Sequence, residues 1–267
     1  MIETRGMAVS HPIFVWGVPL TPFTRAQAVE AVAALVRAGP PSYFITASTH
    51  YAMLTAEVAE LRAVNENAAF VVADGKPLVW ASRLLKTPLP ERVAGSDMIF
   101  DLCELSAKEG FRVFFLGAPP GVADEAARRL SEKFPGLVVA GTECPPFRDL
   151  TLAEHEALIG RIRAARPDIL FLAFGQPKGE IWLKDNLEAL GVPVSVQIGA
   201  SLDFASGRVR RAPKFLQKIG MEWAFRLALE PRRLLPRYAK NARFIASRLF
   251  RDLRHRSRGG PGRSLPF

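Results

Sequence analysis

The amino-acid sequence predicts an α/β fold, a mainly parallel sheet covered by helices on both faces, and three observations carry that prediction. Short apolar runs bounded by turn residues alternate with stretches of helical spacing, and the alternation persists from about residue 13 to residue 205. The third is bulk: 267 residues, 49% apolar and 23% charged, are enough for one substantial core or one core with an appendage.

In chain order, a strand is expected at Ile13–Trp16 and a helix at Arg25–Arg37, then a strand at Tyr43–Ala47 and a helix at Tyr51–Val64. Strand Ala69–Ala73 leads to helices Pro77–Leu85 and Ser96–Lys108, and strand Arg112–Leu116 to helix Val122–Phe134. Strand Leu137–Ala140, helix Leu152–Ala165, strand Ile169–Phe174, helix Glu180–Leu190 and strand Val194–Ile198 complete a Rossmann-like body over residues 1–205. Ligands of such sheets bind where the carboxyl ends of strands meet loops and helix N-termini.

Past Gly207 the pattern changes. Ala212–Ile219 and Met221–Leu229 read as short helices, Pro231 and Pro236 interrupt, and Arg237–Leu253 reads as a longer basic helix with Phe244, Ile245, Leu249, Phe250 and Leu253 at helical spacing. The remaining Gly/Arg/Ser/Pro tail is expected to be disordered. Residues 206–267 hold 17 of the 36 Lys and Arg but only Glu222, Glu230 and Asp252 of the 26 acids, so this appendage carries +14 and residues 1–205 carry −4. A mildly acidic body with a basic helical appendage points to an anionic surface or substrate: lipid, nucleic acid or phosphate.

Several classes are excluded. No apolar run approaches the ~18 residues of a membrane span, and Met1 to Ser10 lacks a signal-peptide pattern. Cys103 and Cys144 make neither metal-ligand spacing nor a disulfide framework, which fits a reducing cytoplasm and two buried small side chains. No His/Cys/Asp/Glu cluster has metal spacing, and no Asp-x-Asp motif is present to hold a divalent cation near a diphosphate. No helix-turn-helix or aromatic RNA platform accompanies the basic segment, so nucleic acid is not the expected partner.

Three loops follow strand ends. Asp74, in Ala73-Asp74-Gly75-Lys76-Pro77, reads either as a carboxylate facing the ligand side with raised basicity or as a helix cap. Gly117, in Leu116-Gly117-Ala118-Pro119-Pro120-Gly121, would let backbone approach a diphosphate at a helix N-terminus, or simply turn the chain. Gln176 and Lys178, before Gly179 and Glu180, offer an amide and a cation to a phosphate, or a solvated helix start. His50, just after Thr46-Ala47-Ser48-Thr49, sits at a strand end within reach of a ligand. Asp168 after Pro167 reads as shaping a turn, and Glu222 with Arg226 as a helix ion pair.

Taken in order, these loops resemble the WecG/TagA/CpsF glycosyltransferases of bacterial surface-polymer synthesis. The matching stretches are Thr46-Ala-Ser48, Ala73-Asp74-Gly75, Glu91-Arg92-Val-Ala-Gly95-Ser-Asp97, Phe115-Leu-Gly117, Pro167-Asp168-Ile-Leu, Gly175-Gln-Pro177-Lys178-Gly-Glu180, Ile198-Gly199-Ala-Ser-Leu-Asp203, Gly207-Arg208 through Arg211-Ala212-Pro213, Glu222-Trp223 with Arg226, and Glu230-Pro231-Arg232-Arg233. They span roughly residues 44–237.

The resemblance implies an inverting, metal-independent enzyme with no cofactor, moving N-acetylmannosamine or another hexose derivative from a UDP-sugar to a sugar on a polyprenyl diphosphate. It implies Asp74 as general base with Thr46 beside it, and Arg92, Arg208, Arg211 and Arg226 as partners of diphosphate oxygens. Ser48, His50, Gly117, Gln176, Lys178 and Asp203 complete the expected donor and acceptor contacts. Two positions depart from the family, which commonly has Asn at Ser48 and Gln at Gly179. Losing two amides alters sugar recognition sooner than the displacement itself. A lipid-linked acceptor places the enzyme in the cytoplasm at the inner face of the membrane, with the basic helix on anionic lipid, and the family's self-association implies a homo-oligomer.

Overall fold

The computed structural model describes residues 11–218 and 220–257. The chain opens with a hairpin, β1 (Ile13–Val15) and β2 (Val18–Leu20), turned by Trp16 and Gly17 at φ of 52° and 89°. Two positive-φ residues in a two-residue loop match the twist of paired strands. The expected strand Ile13–Trp16 is thus one arm of a hairpin, and Trp16 belongs to its turn.

The body then runs α1 (Arg25–Ala38), β3 (Ser42–Ala47), α2 (Thr49–Glu57), α3 (Glu60–Asn67), β4 (Phe70–Ala73), α4 (Lys76–Leu84), α5 (Gly95–Glu109), β5 (Arg112–Gly117) and α6 (Val122–Lys133). It continues with β6 (Val138–Glu143), α7 (Leu152–Ala165), β7 (Ile169–Ala173), α8 (Lys178–Leu190), β8 (Val194–Gln197) and α9 (Ser201–Ala205). Strands β3 to β8 form one six-stranded parallel sheet in the order β4-β3-β8-β7-β5-β6, as the alternating pattern predicts.

Alternate residues of the buried strands feed opposite faces. Phe44, Val72, Phe115, Phe171 and Val196 meet α1, α5 and α6, while Tyr43, Ile45, Val71 and Ala73 meet α2, α3, α4 and the hairpin. Phe114, Leu116, Leu170 and Leu172 pack under α7 and α8. Helix starts are set locally: Thr24 with Gln27, and Thr151 with Glu154, form capping boxes. Asp168 accepts the Arg112 N–H at 2.7 Å and so ties the start of β7 to β5, a shaping role as expected. Cys103 is fully buried, whereas Cys144 is half-buried and donates its Sγ–H to the Ala118 carbonyl at 3.1 Å.

Two helical expectations are corrected. The single helix Tyr51–Val64 is two, because Val58 is extended (φ −113°, ψ 106°) and re-aims the chain so that Leu61, Val64 and Asn65 are buried. The prolines do not interrupt the last helix. After α10 (Lys214–Lys218) and α11 (Glu222–Leu229), α12 runs unbroken over Pro231–Ser257. Pro231 occupies its first position, where no donor is needed, and Pro236 costs one bond to the carbonyl of solvent-exposed Arg232. The helix runs past its expected end at Leu253 to Ser257, and the rest of the expected disordered tail, 258–267, lies outside the described residues.

The apolar stripe of α12 divides. Phe244, Ile245 and Leu249 pack on the body beside Trp16, whose ring meets Phe244 edge-on at 5.6 Å and whose Nε1–H donates to Asp252 at 3.1 Å. Phe250 and Leu253 remain 56% and 53% exposed. Among the described residues, no helix is long and apolar enough to cross a membrane.

Candidate active site

Asp74 follows β4, and its backbone N–H still extends the ladder to the Ala47 carbonyl of β3. The capping reading fails: α4 is capped by Gly75 with no side-chain bond, and the Asp74 carboxylate instead accepts the N–H of Gly95, first residue of α5, at 3.1 Å. The residue is half-buried but its carboxyl is withdrawn from water, and this burial pushes its pKa above the usual carboxylate range against the opposing pull of Arg92 and the Gly95 N–H.

Thr46, at the end of β3, turns its hydroxyl to the same spot. Its Oγ1, the Asp74 Oδ2 and the Ser201 Oγ lie 3.1, 3.7 and 3.7 Å from where a Cβ on Gly95 would stand. Glycine is therefore the residue that leaves this junction open. Thr46 also donates to the Gln197 carbonyl at 3.4 Å, joining β3 to β8.

Ser48 caps α2 through the Tyr51 N–H at 3.1 Å and donates to Gln176 Oε1 at 3.2 Å. Gln176 in turn donates to Glu180 at 2.9 Å. The structure thus joins Ser48 and Gln176 beside the Asp74 strand end. Lys178 stands apart, largely exposed, 3.9 Å from an equally exposed Asp149, which matches the solvated helix start. Gly117, at φ 95°, is demanded by packing, since a Cβ there would lie 2.8 Å from Phe174 and 3.0 Å from the Ala173 carbonyl. His50 faces α12, where burial and the charge of Arg237 pull its pKa down to about 4, so the ring is neutral.

The arginines fall into two groups. Arg92 bonds Asp97 at 3.3 Å and Glu222 at 3.5 Å, while Arg211 bonds Asp97 at 2.8 Å, Glu222 at 3.5 Å and Ser96 at 3.2 Å. This four-membered charge knot ties the segment after α9 to the start of α5. Glu222 is therefore not the partner of Arg226, and the expected helix pair is corrected: two better-placed guanidiniums occupy its carboxylate. Arg226 lies over the Phe204 ring at 5.3 Å with its Nε–H buried and without a hydrogen-bond partner among the described residues, and Asp203 is half-buried with Arg208, Arg233 and Arg226 around it. Burial raises the Asp203 pKa and Arg208 opposes it.

Sequence reasoning missed Gly95 as the donor to Asp74, Asp97 and Glu222 as partners of the arginines, and Gln197. A large amide between Val196 and Ile198, in a run whose other polar residue is the small Ser195, is the one local signal that marks Gln197. Among the described residues, no group of three or more His, Cys, Asp or Glu is placed to hold a metal ion.

A family model described as the glycosyl transferase WecG/TagA/CpsF family matches residues 13–259. The chain belongs to this glycosyltransferase family. Similar relatives bear the name N-acetylglucosaminyldiphosphoundecaprenol N-acetyl-beta-D-mannosaminyltransferase. The protein from Bacillus spizizenii is 32% identical over 192 residues, 72% of this chain and 73% of its own length. That from Bacillus subtilis is 33% identical over 64% of this chain and 66% of its own, and that from Staphylococcus aureus is 31% identical over 67% and 68%.

Proposed function

We propose that this WecG/TagA/CpsF glycosyltransferase moves a hexose derivative, N-acetylmannosamine or a near relative, from a UDP-sugar to a sugar held by diphosphate on a polyprenol, with inversion at the anomeric carbon. The observation that carries the reading is the Asp74 carboxyl, kept basic by burial, oriented by the Gly95 N–H and set beside Thr46 at the strand ends. In the step, the acceptor hydroxyl gives its proton to Asp74 as its oxygen bonds the anomeric carbon, and the bond from that carbon to the diphosphate breaks with the electron pair leaving on UDP. The negative charge that develops on the diphosphate calls for Arg92, Arg211, Arg208 and Arg226. Arg92 and Arg211 would exchange Asp97 and Glu222 for phosphate oxygens. The names of the relatives support the lipid-linked acceptor, and the absence of an Asp-x-Asp motif from the sequence supports a metal-free leaving-group site.

The same reading treats residues 206–267 as an appendage to a catalytic body and places it on the inner membrane surface in the cytoplasm. Exposed Trp223, Leu229, Leu235, Phe250 and Leu253 among many arginines suit an anionic interface.

Transfer from a panel of UDP-sugars to a polyprenyl-diphosphate-linked sugar, with EDTA present, tests it. One donor should be used, and Asp74→Asn should lower kcat by about 10²–10⁴-fold while the fold is kept. The wild-type rate should rise with pH as Asp74 loses its proton, with a midpoint above the ordinary carboxylate value. EDTA-sensitive transfer, or an active Asp74→Asn enzyme, would overturn the mechanism.

A further inference from the structure

Beside the loop joining β7 to α8, two side chains that the proposed displacement does not use are buried and under-satisfied. Gln197 is 3% exposed, and its Oε1 accepts the Gly199 N–H at 3.3 Å. That bond sets the orientation of the amide, and its buried Nε2, turned toward Gly179, has no hydrogen-bond partner among the described residues. Glu180 is 1% exposed, with Oε1 taken by Gln176 and Oε2 likewise without a partner. A buried donor and a buried acceptor left unmade are costly to folding, and native proteins keep few of them without a use.

Gly179 explains how the Gln197 amide is accommodated. A Cβ at this position would stand 2.4 Å from Gln197 Nε2 and 2.6 Å from its Cδ, so any side chain at 179 competes with the Gln197 amide for one volume. The Ser48–Gln176–Glu180 chain of hydrogen bonds walls the other side. The Gln197 backbone is linked to the Asp74 junction, because its carbonyl accepts from Thr46, whose Oγ1 lies with the Asp74 carboxylate around Gly95.

We propose that Gln197 is a specificity-determining residue of the transfer, whose Nε2, together with Glu180 Oε2, hydrogen-bonds a substituent of the donated sugar that offers one acceptor and one donor, a hydroxyl or a secondary amide. Where the family commonly places a glutamine at 179, this chain supplies the amide from the neighbouring strand, and glycine at 179 makes the room. The inference rests on the UDP-sugar reading above.

The experiment compares the full-length wild type with Gln197→Leu, Gly179→Gln and the double variant Gly179→Gln/Gln197→Gly. Three quantities are read: kcat/KM on UDP-sugars that differ at one substituent (hydroxyl or acetamido), equilibrium binding of UDP against each UDP-sugar, and the melting temperature. Gln197→Leu should lower kcat/KM and affinity for the preferred UDP-sugar by about tenfold to a hundredfold and flatten the preference between donors. Its affinity for UDP should stay within about twofold of wild type, well under the change expected from one lost hydrogen bond to UDP itself. Gly179→Gln alone should lose transfer, and the double variant should regain it. Should Gln197→Leu melt early, the double variant and the UDP-to-UDP-sugar affinity ratio decide. Equal loss of UDP and UDP-sugar binding, or an unchanged donor ranking in both Gln197 variants, overturns the inference while leaving the transferase reading intact. A folded wild type that neither transfers nor binds any UDP-sugar overturns both.

Discussion

Phe171 and Phe244 each pack an aromatic ring, in regions held by different means. Phe171, in the middle of β7, has no exposed surface and stacks on Phe115 at 5.4 Å, surrounded by both neighbouring strands and a helical layer. Phe244, on α12, stays half-buried and meets Trp16 by its edge. The contrast extends outward from these two rings. The central strands are secured by burial on both faces, whereas α11 buries none of its residues, and the C-terminal helices are held by the Trp16 contact, the buried Leu234 and the charge knot at Arg211. A region fastened at a few points can shift relative to its body without unfolding it, which suits helices whose arginines are proposed to meet the diphosphate.

The sharpest way to break this comparison is to make the same substitution in both regions. Phe171→Ala should cost about 3–5 kcal/mol of stability in urea unfolding, the range for a fully buried aromatic. Equal costs at the two sites would show that α12 belongs to the same packed core.

The next effect comes from unpaired charge. In the knot each carboxylate faces arginines, but Glu180 sits in the body with no cation paired to it among the described residues, and burial pushes its pKa up to about 7. The folded chain keeps this proton up to about pH 7 while the unfolded chain releases it near 4.5, so the stability from this group is complete below pH 4.5 and is lost as pH rises through 7. The loss should be on the order of 3 kcal/mol, read as the difference between wild type and Glu180→Gln in denaturant titrations from pH 5 to 8, because His50, held at about 4, contributes an opposite trend below 6.5 in both proteins.

Smaller still, Phe244→Ala should cost about 1–2 kcal/mol, since part of the ring is already wet. Smallest for stability is Phe250→Asp with Leu253→Asp, within about 0.5 kcal/mol because both side chains are more than half exposed. Liposome co-sedimentation should nonetheless fall clearly for that pair, and unchanged binding would assign the membrane contact to another part of the surface.

Most of the sheet was legible because buried parallel strands leave short unbroken apolar runs bounded by turn residues, such as Ile169–Phe174. The hairpin arm Val18–Leu20 was not, being three residues long with a central proline. Nor was the break at Val58, where Glu57-Val58-Ala59-Glu60 carries no Gly, Pro or capping residue and the tertiary demand to bury Leu61 and Val64 decides. At the site, Asp74 and Thr46 were readable from strand ends and from the family pattern. The carboxylates that occupy Arg92 and Arg211 were not, because Asp97 and Glu222 are 125 residues apart and only the fold brings them to one place.

The strand order has a consequence for synthesis. Strand β8, the last to be made, inserts between β3 and β7 at the middle of the sheet, and the Thr46–Gln197 contact closes a separation of 151 residues. Until about residue 197 has left the ribosome, β3 and β7 each present an unpaired edge, and Thr46 lacks the strand that completes its surroundings. The nascent chain is thus sticky for most of its translation, and the surroundings of Thr46 at the strand ends are completed only in the last act of sheet closure.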